Sequence, residues 1–211
     1  MEVIAKIPLT IEERLEYGPV LRMPLAWEEF LDALEKSEYR IEFDEGQMIS
    51  FMGYGTEDHE KLALNIGHLL LQLLHVPRFH VYGSNLALHI PGAGQNYFNA
   101  DCTVIESQPE RITLRDPMTA VTNPVLLVEV LSASTRDFDL GHKFFQYKQI
   151  PSLRQMLYLD SEEMRVFSYT RHNGGNDWLL RDFSQAHDNI PVLDEGSLSL
   201  EEIYHSTKPY N

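Results

Sequence analysis

Apolar residues recur along this chain at two periods. In "LAWEEFLDALEKS", Trp27, Phe30, Leu31 and Leu34 fall three and four apart, which predicts an amphipathic helix. Leu62, Ile66, Leu69, Leu70 and Leu73 repeat that spacing. They predict a longer helix, capped by Thr56, with Glu57, Asp58 and Glu60 in its first turn and an end before Pro77. Between the two, segments near 39–44 and 47–52 read as strands meeting at Glu45-Gly46, a hairpin signal. "FHVYG", "LALHI", "FNADCTVI" and "PVLLVEVLS" read as strands, then 137–149 as a helix closed by Ile150-Pro151. "RQMLYLD", "RVFSYT" and "WLLRDF" look like later strands, and "SLEEIYH" like a terminal helix. The order predicts a mixed α/β fold. Residues 1–24 are expected to form an N-terminal arm and 25–211 a single domain.

One stretch breaks its own pattern. Leu126, Leu127, Val128, Val130 and Leu131 make a core strand, yet Glu129 sits among them. A carboxylate there pays for desolvation unless a positive or hydrogen-bonding group meets it. Asp101 is set similarly within "FNADCTVI". Two carboxylates on adjacent strands repel each other, and a divalent cation removes that repulsion; hard oxygen ligands suit Mg²⁺ or Mn²⁺. Asp139, Lys143 and Tyr147 follow at intervals of four and share one helical face. Acidic pair, metal and lysine together are the equipment of phosphodiester hydrolysis.

Composition narrows the setting. The formal net charge is -15, and residues 1–60 alone carry 15 acidic against 5 basic side chains. Residues 136–171 carry 6 basic and 5 acidic ones, the only such surplus. Phosphate contacts supply most of the affinity of nucleic-acid binders. DNA is therefore expected to bind weakly and near 136–171, through Arg136, Lys148 and Arg154. The single cysteine, Cys102, allows neither a disulfide framework nor a cysteine zinc cluster. No signal-like window or membrane-length apolar run is apparent, so a cytoplasmic location is expected.

The order "IEFDEGQM", His59 at a helix start, Asp101, "LLVEVLSASTRDFDLGHKFFQYK" and "PSLRQMLYLD" resembles the Uma-type endonucleases. These are a bacterial branch of the restriction-endonuclease-like, PD-(D/E)XK superfamily. The resemblance covers about residues 25–170 and implies a central mixed β-sheet flanked by helices. It implies metal ligation by Asp101 and Glu129 and the catalytic lysine role for Lys143, with Leu131 at the superfamily's usual lysine position. Glu42 matches the family's early acidic residue, and His59, Asp139 and Tyr147 are supporting candidates. Ala100 replaces the usual proline before Asp101, and Gln155 a frequent glutamate. The implied activity is Mg²⁺-dependent cleavage of nucleic acid by a protein that dimerises to cut both strands.

Plainer readings stand beside these. Glu129 and Lys143 also suit a structural salt bridge, and Asp139 with Lys143 an exposed helix pair. Tyr147 suits core packing as well as substrate contact. Five histidines between 59 and 89 invite a zinc site, but no close pair or cysteine supports one. Ser132, Ser134 and Thr135 are expected to cap the next helix. The whole protein also suits a catalytically silent scaffold or DNA-associated module.

Overall fold

The computed structural model describes residues 6–51 and 56–209. The first five residues of the expected arm and position 52 of the expected hairpin lie outside the described residues. Within the arm, a short helix α1 (Ile11–Leu15) precedes a strand β1 (Val20–Pro24). Helix α2 (Trp27–Leu34) follows, with the Glu29 carboxylate accepting from the Ala26 amide at 3.0 Å. The hairpin forms as β2 (Glu42–Asp44) and β3 (Gln47–Phe51), and β1 pairs antiparallel with β3. Glu45 (φ 48°) and Gly46 (φ 75°) make the turn, both in the left-handed region that two-residue hairpins demand. Phe30 and Phe43 pack ring against ring at 4.9 Å, tying α2 to this small sheet.

Helix α3 (Glu57–Leu73) leads into β4 (Phe79–Gly83) and, after a long loop, β5 (Cys102–Glu106). A hairpin of β6 (Arg111–Arg115) and β7 (Met118–Val121) precedes β8 (Pro124–Leu131). A π-helical segment, Phe138–Lys143, then runs into α4 (Phe144–Tyr147). Strands β9 (Gln155–Asp160), β10 (Val166–Arg171) and β11 (Trp178–Phe183) follow. The hairpin β12 (Asn189–Val192) and β13 (Gly196–Ser199) and helix α5 (Leu200–Ile203) close the chain.

Six strands build the central sheet in the order β11-β10-β9-β8-β5-β4. Among the described strands of this sheet only β8 and β9 run parallel, so the π-helical segment and α4 form the crossover between them. Strand β8 is buried at all eight positions and splits its side chains between two cores. Leu126, Val128 and Val130 face α3 and α5, while Leu127 and Leu131 face Phe138, Tyr147 and the β2–β3 hairpin. This is the mixed α/β architecture expected from the sequence.

Local departures have physical causes. "LALHI" forms only isolated bridges at Leu88, to Phe98 and Val121. Its loop is instead held by Asn96, which bonds the Ile90 amide at 2.7 Å and the Ile90 carbonyl at 3.0 Å. The expected α-helix over 137–149 is π-helical across Phe138–Lys143, a form common at functional sites. Ser132 and Thr135 do not cap it. Their hydroxyls bond each other at 3.1 Å in the turn that precedes it.

Candidate active site

Register brings the two strand carboxylates together. Cys102 pairs with Val128 and Thr103 with Leu127, so Asp101, just before β5, stands next in line opposite Glu129. The Asp101 Oδ2 accepts from the Val130 amide at 2.8 Å, which fixes it beside β8. Residues opposite each other share a face, and here it is the face toward the π-helical segment.

A second strand delivers the next groups. Side chains two apart in an extended chain point the same way, so Arg40, Glu42 and Asp44 line one side. Glu42 meets Lys143 at 3.0 Å, and Asp44 accepts from His142 and from Gln146, the latter at 2.9 Å. Arg40 reaches Asp101 at 3.5 Å. His59, on the first turn of α3, approaches Asp101 from another side at 3.5 Å, its backbone amide bonded to the capping Thr56 hydroxyl.

Lys143 is the hub. Its ammonium is 2.9 Å from Glu129, 3.0 Å from Glu42, 2.9 Å from the Asn99 carbonyl and 3.9 Å from Asp139. The Tyr147 hydroxyl donates to the same Glu129 oxygen at 2.8 Å. The exposed-pair reading of Asp139 and Lys143 therefore fails: each is 4% exposed. The structural bridge between Glu129 and Lys143 is present, and Tyr147 is fully buried with its hydroxyl on the site.

Burial sets the protonation of this cluster. It pushes Glu129 well above the usual carboxylate range, with Lys143 opposing and neighbouring acids adding to the rise. It pushes Asp139 up to about 6 against the pull of Lys143. For Lys143, burial favours loss of the proton, but the surrounding carboxylates outweigh it and raise the pKa. Asp101 goes the other way: burial alone would raise it, yet His59, Arg40 and the Val130 amide bring it down to about 2.

These groups open into a cavity of about 410 Å³ lined by Arg40, Glu42, His59, Asp101, Glu129, Asp139 and Lys143. Among the described residues no three His, Cys, Asp or Glu side chains form a ready metal cage. Mg²⁺, however, is usually held by one or two carboxylates plus substrate phosphates. The Glu42 Oε2 is buried without a hydrogen-bond partner, a cost of roughly 1–3 kcal/mol or more for a charged group. That orphaned oxygen, beside Asp101 and Glu129, fits a hard divalent cation.

Sequence reasoning missed Arg40 and Asn99. Arg40 carries a signal in hindsight: it is a lone cation at two-residue spacing before Glu42 in a strongly acidic region. Asn99 acts through its backbone and carries none. The basic surplus at 136–171 is partly spent within the protein, since Arg136 pairs with Asp160 and Arg154 meets Glu106 at 2.8 Å.

The chain matches a family model, Uma2, described as "Putative restriction endonuclease", over residues 27–201. Two uncharacterised proteins of Synechocystis sp. are similar along much of their length. One, sll1609, is 34% identical over 152 residues, which covers 72% of this chain and 83% of that protein. The other, slr1290, is 30% identical over 192 residues, or 90% of this chain and 97% of that protein. Among solved structures, one titled as a "putative nuclease belonging to DUF820" from Anabaena variabilis superposes with a TM-score of 0.68. It is 17% identical and covers 86% of this chain and 98% of its own, so the likeness is one of fold. The chain belongs to the Uma2 family of restriction-endonuclease-like proteins.

Proposed function

We propose that the protein is a metal-dependent endonuclease hydrolysing nucleic-acid phosphodiester bonds, with DNA as its substrate. The observation that supports this most is the opposition of Asp101 and Glu129 across β5 and β8, beside Glu42 and Lys143, in an open cavity. Asp101 and Glu129 would hold Mg²⁺ or Mn²⁺. Bound there, such an ion supplies an activated water and neutralises charge on the phosphate.

The chain's own groups prepare that chemistry. His59, Arg40 and the Val130 amide keep Asp101 ionised near neutral pH. Lys143 fixes Glu129 and Glu42 relative to each other and offsets their repulsion. Tyr147 holds the Glu129 carboxylate from behind, so its rotamer is set before a substrate arrives. In the reaction a water oxygen bonds to phosphorus, one phosphorus–oxygen ester bond breaks, and the departing oxygen takes up a proton. Pairing of two subunits would place two such sites on one duplex, in the cytoplasm.

One observation favours the scaffold reading. All three Lys143 protons have protein acceptors within 3.0 Å, as a purely structural lysine would. Incubating plasmid and single-stranded DNA with Mg²⁺ or Mn²⁺ tests the choice. Cleavage by the wild-type protein that Glu129→Gln removes is the expected result. A folded protein that cuts neither substrate with either metal would make the module a scaffold.

A further inference from the structure

A nuclease site must offer positive charge to its anionic substrate, and the lysine here has none to spare. The Lys143 ammonium has three protons and three acceptors within 3.0 Å: Asn99, Glu42 and Glu129. It is also 4% exposed. Among the described residues lining the cavity, the remaining cationic side chains are His59 and Arg40. His59 is directed at Asp101 and Glu60.

Arg40 shares with His59 a 3.5 Å approach to Asp101, but it is the more exposed of the two and carries more donors. Its side chain is 41% exposed. Of its five N–H donors, one meets the Ser84 carbonyl at 3.1 Å. Its approach to Asp101, at 3.5 Å, is longer than the roughly 2.7–2.9 Å of a charge-assisted hydrogen bond. The guanidinium is therefore near the carboxylates without being consumed by them. It also borders a second cavity of about 390 Å³, lined by Tyr39, Asn85, Tyr97 and Asn99 among others. Aromatic rings and side-chain amides suit a base and a sugar, as the acidic cavity suits a scissile phosphate. Arg40 thus stands where a phosphate joining two such sites would pass.

We propose that Arg40 is the phosphate anchor of this site: its guanidinium takes an anionic oxygen of a bound nucleic-acid strand while Lys143 holds the carboxylates. The assignment rests on the nucleic-acid reading above and adds a residue to it. The strand lies across Arg40, with its flanking nucleoside in the second cavity.

Binding tests this apart from cleavage. Fluorescence anisotropy of a labelled single-stranded oligodeoxynucleotide with Ca²⁺ over a salt series compares wild type with Arg40→Gln and Arg40→Lys. Arg40→Gln should weaken binding about ten- to hundredfold, the loss of one charge-assisted contact. It should also lower the slope of log affinity against log salt by about 0.7, one phosphate contact fewer on a single strand. Arg40→Lys should restore the slope and part of the affinity, which a merely structural arginine would not do. Wild-type affinity and slope in Arg40→Gln would overturn the anchor, as would a wild-type protein that binds no oligonucleotide. Binding that depends on Arg40 without any cleavage would leave the anchor standing and sink the hydrolase. Cleavage by Arg40→Gln at the wild-type KM would do the reverse.

Discussion

Arg14 and Lys143 are both shut away from solvent, yet the oxygens around them differ in kind. Arg14, fully buried on α1, donates to the Gly18, Pro19 and Ser50 carbonyls and the Ser50 hydroxyl, between 2.7 and 3.3 Å. Its acceptors are neutral, and burial lowers its pKa. Lys143 meets the carboxylates of Glu129, Glu42 and Asp139, which raise its pKa despite burial. The first arrangement staples a helix to β3 and meets four of the five guanidinium donors with neutral oxygens. The second leaves more negative than positive charge facing a cavity, with one carboxylate oxygen unmatched. A buried charge closed off by neutral backbone groups is a clamp. Buried charge left in surplus beside a cavity is poised for a ligand.

The largest effect should come from removing the hub. Lys143→Met keeps the stem but strands buried carboxylates, and breaking a buried pair costs about 3–5 kcal/mol. Because the damage is excess negative charge, Mn²⁺ should restore part of the lost stability. Thermal melts followed by circular dichroism, with and without Mn²⁺, check both statements. A variant that melts like wild type would erase the contrast between the two cations.

Next comes charge removal without loss of shape. Asp101→Asn and Glu129→Gln should each lower cleavage by about 10²–10³-fold, the loss expected for a group that stabilises developing charge. Glu129→Gln should leave the melt unchanged or raised, since it relieves repulsion in the cluster. Plasmid nicking rates and melting curves together decide this. Equal cleavage in all three proteins would exclude Asp101 and Glu129 from the chemistry.

Arg14→Met supplies the opposite pole and a smaller effect. It leaves carbonyls of Gly18, Pro19 and Ser50 short of donors, a cost of about 1–3 kcal/mol. Mn²⁺ should not repair it, and cleavage per folded molecule should stay at the wild-type rate. Urea unfolding with Mn²⁺ present and absent measures the difference. Metal rescue equal to that of Lys143→Met would mean the two burials are alike after all.

How far the sequence reaches follows the same division. Apolar periods placed α2 and α3, because each buries one recognisable face, and a continuous apolar run placed β8, which is buried on both. The interrupted run at Glu129 marked the site, because burying a carboxylate is costly enough to require a reason. Hairpins β6–β7 and β12–β13 escaped, being four- and five-residue pieces whose pairing is decided by distant contacts. Leu193 and Asp194 turn the second of these in left-handed conformations that their identities do not announce. The π-helical turn was likewise hidden, since intervals of four suit an α-helix. Asn99 meets Glu42 and Lys143 through its backbone amide and carbonyl, so its side chain could not reveal that role. Arg14 lay in the expected arm, where nothing in the residue pattern marks a buried cation.

Another buried acid gives the finest adjustment of the contrast. Asp44 lies two residues beyond Glu42 on the same strand face, yet its partners are His142 and Gln146, and it does not line the cavity. Burial raises its pKa above the ordinary 3.8, with the His142 contact opposing. An acid whose folded pKa is raised contributes stability that is fully present below the unfolded value. That contribution is lost as pH climbs through the folded one. Asp44→Asn cannot ionise, so it escapes this loss while keeping an acceptor for Gln146. Its stability relative to wild type should therefore be poorest at the acid end and improve toward neutrality. The effect should lie near ~1 kcal/mol, the centre of the range for single substitutions, and cleavage should be unaffected. Urea midpoints between about pH 4 and 7 would show the trend. A relative stability that falls as pH rises would mean that ionised Asp44, like the carboxylates on Lys143, is held by its cationic partner after all.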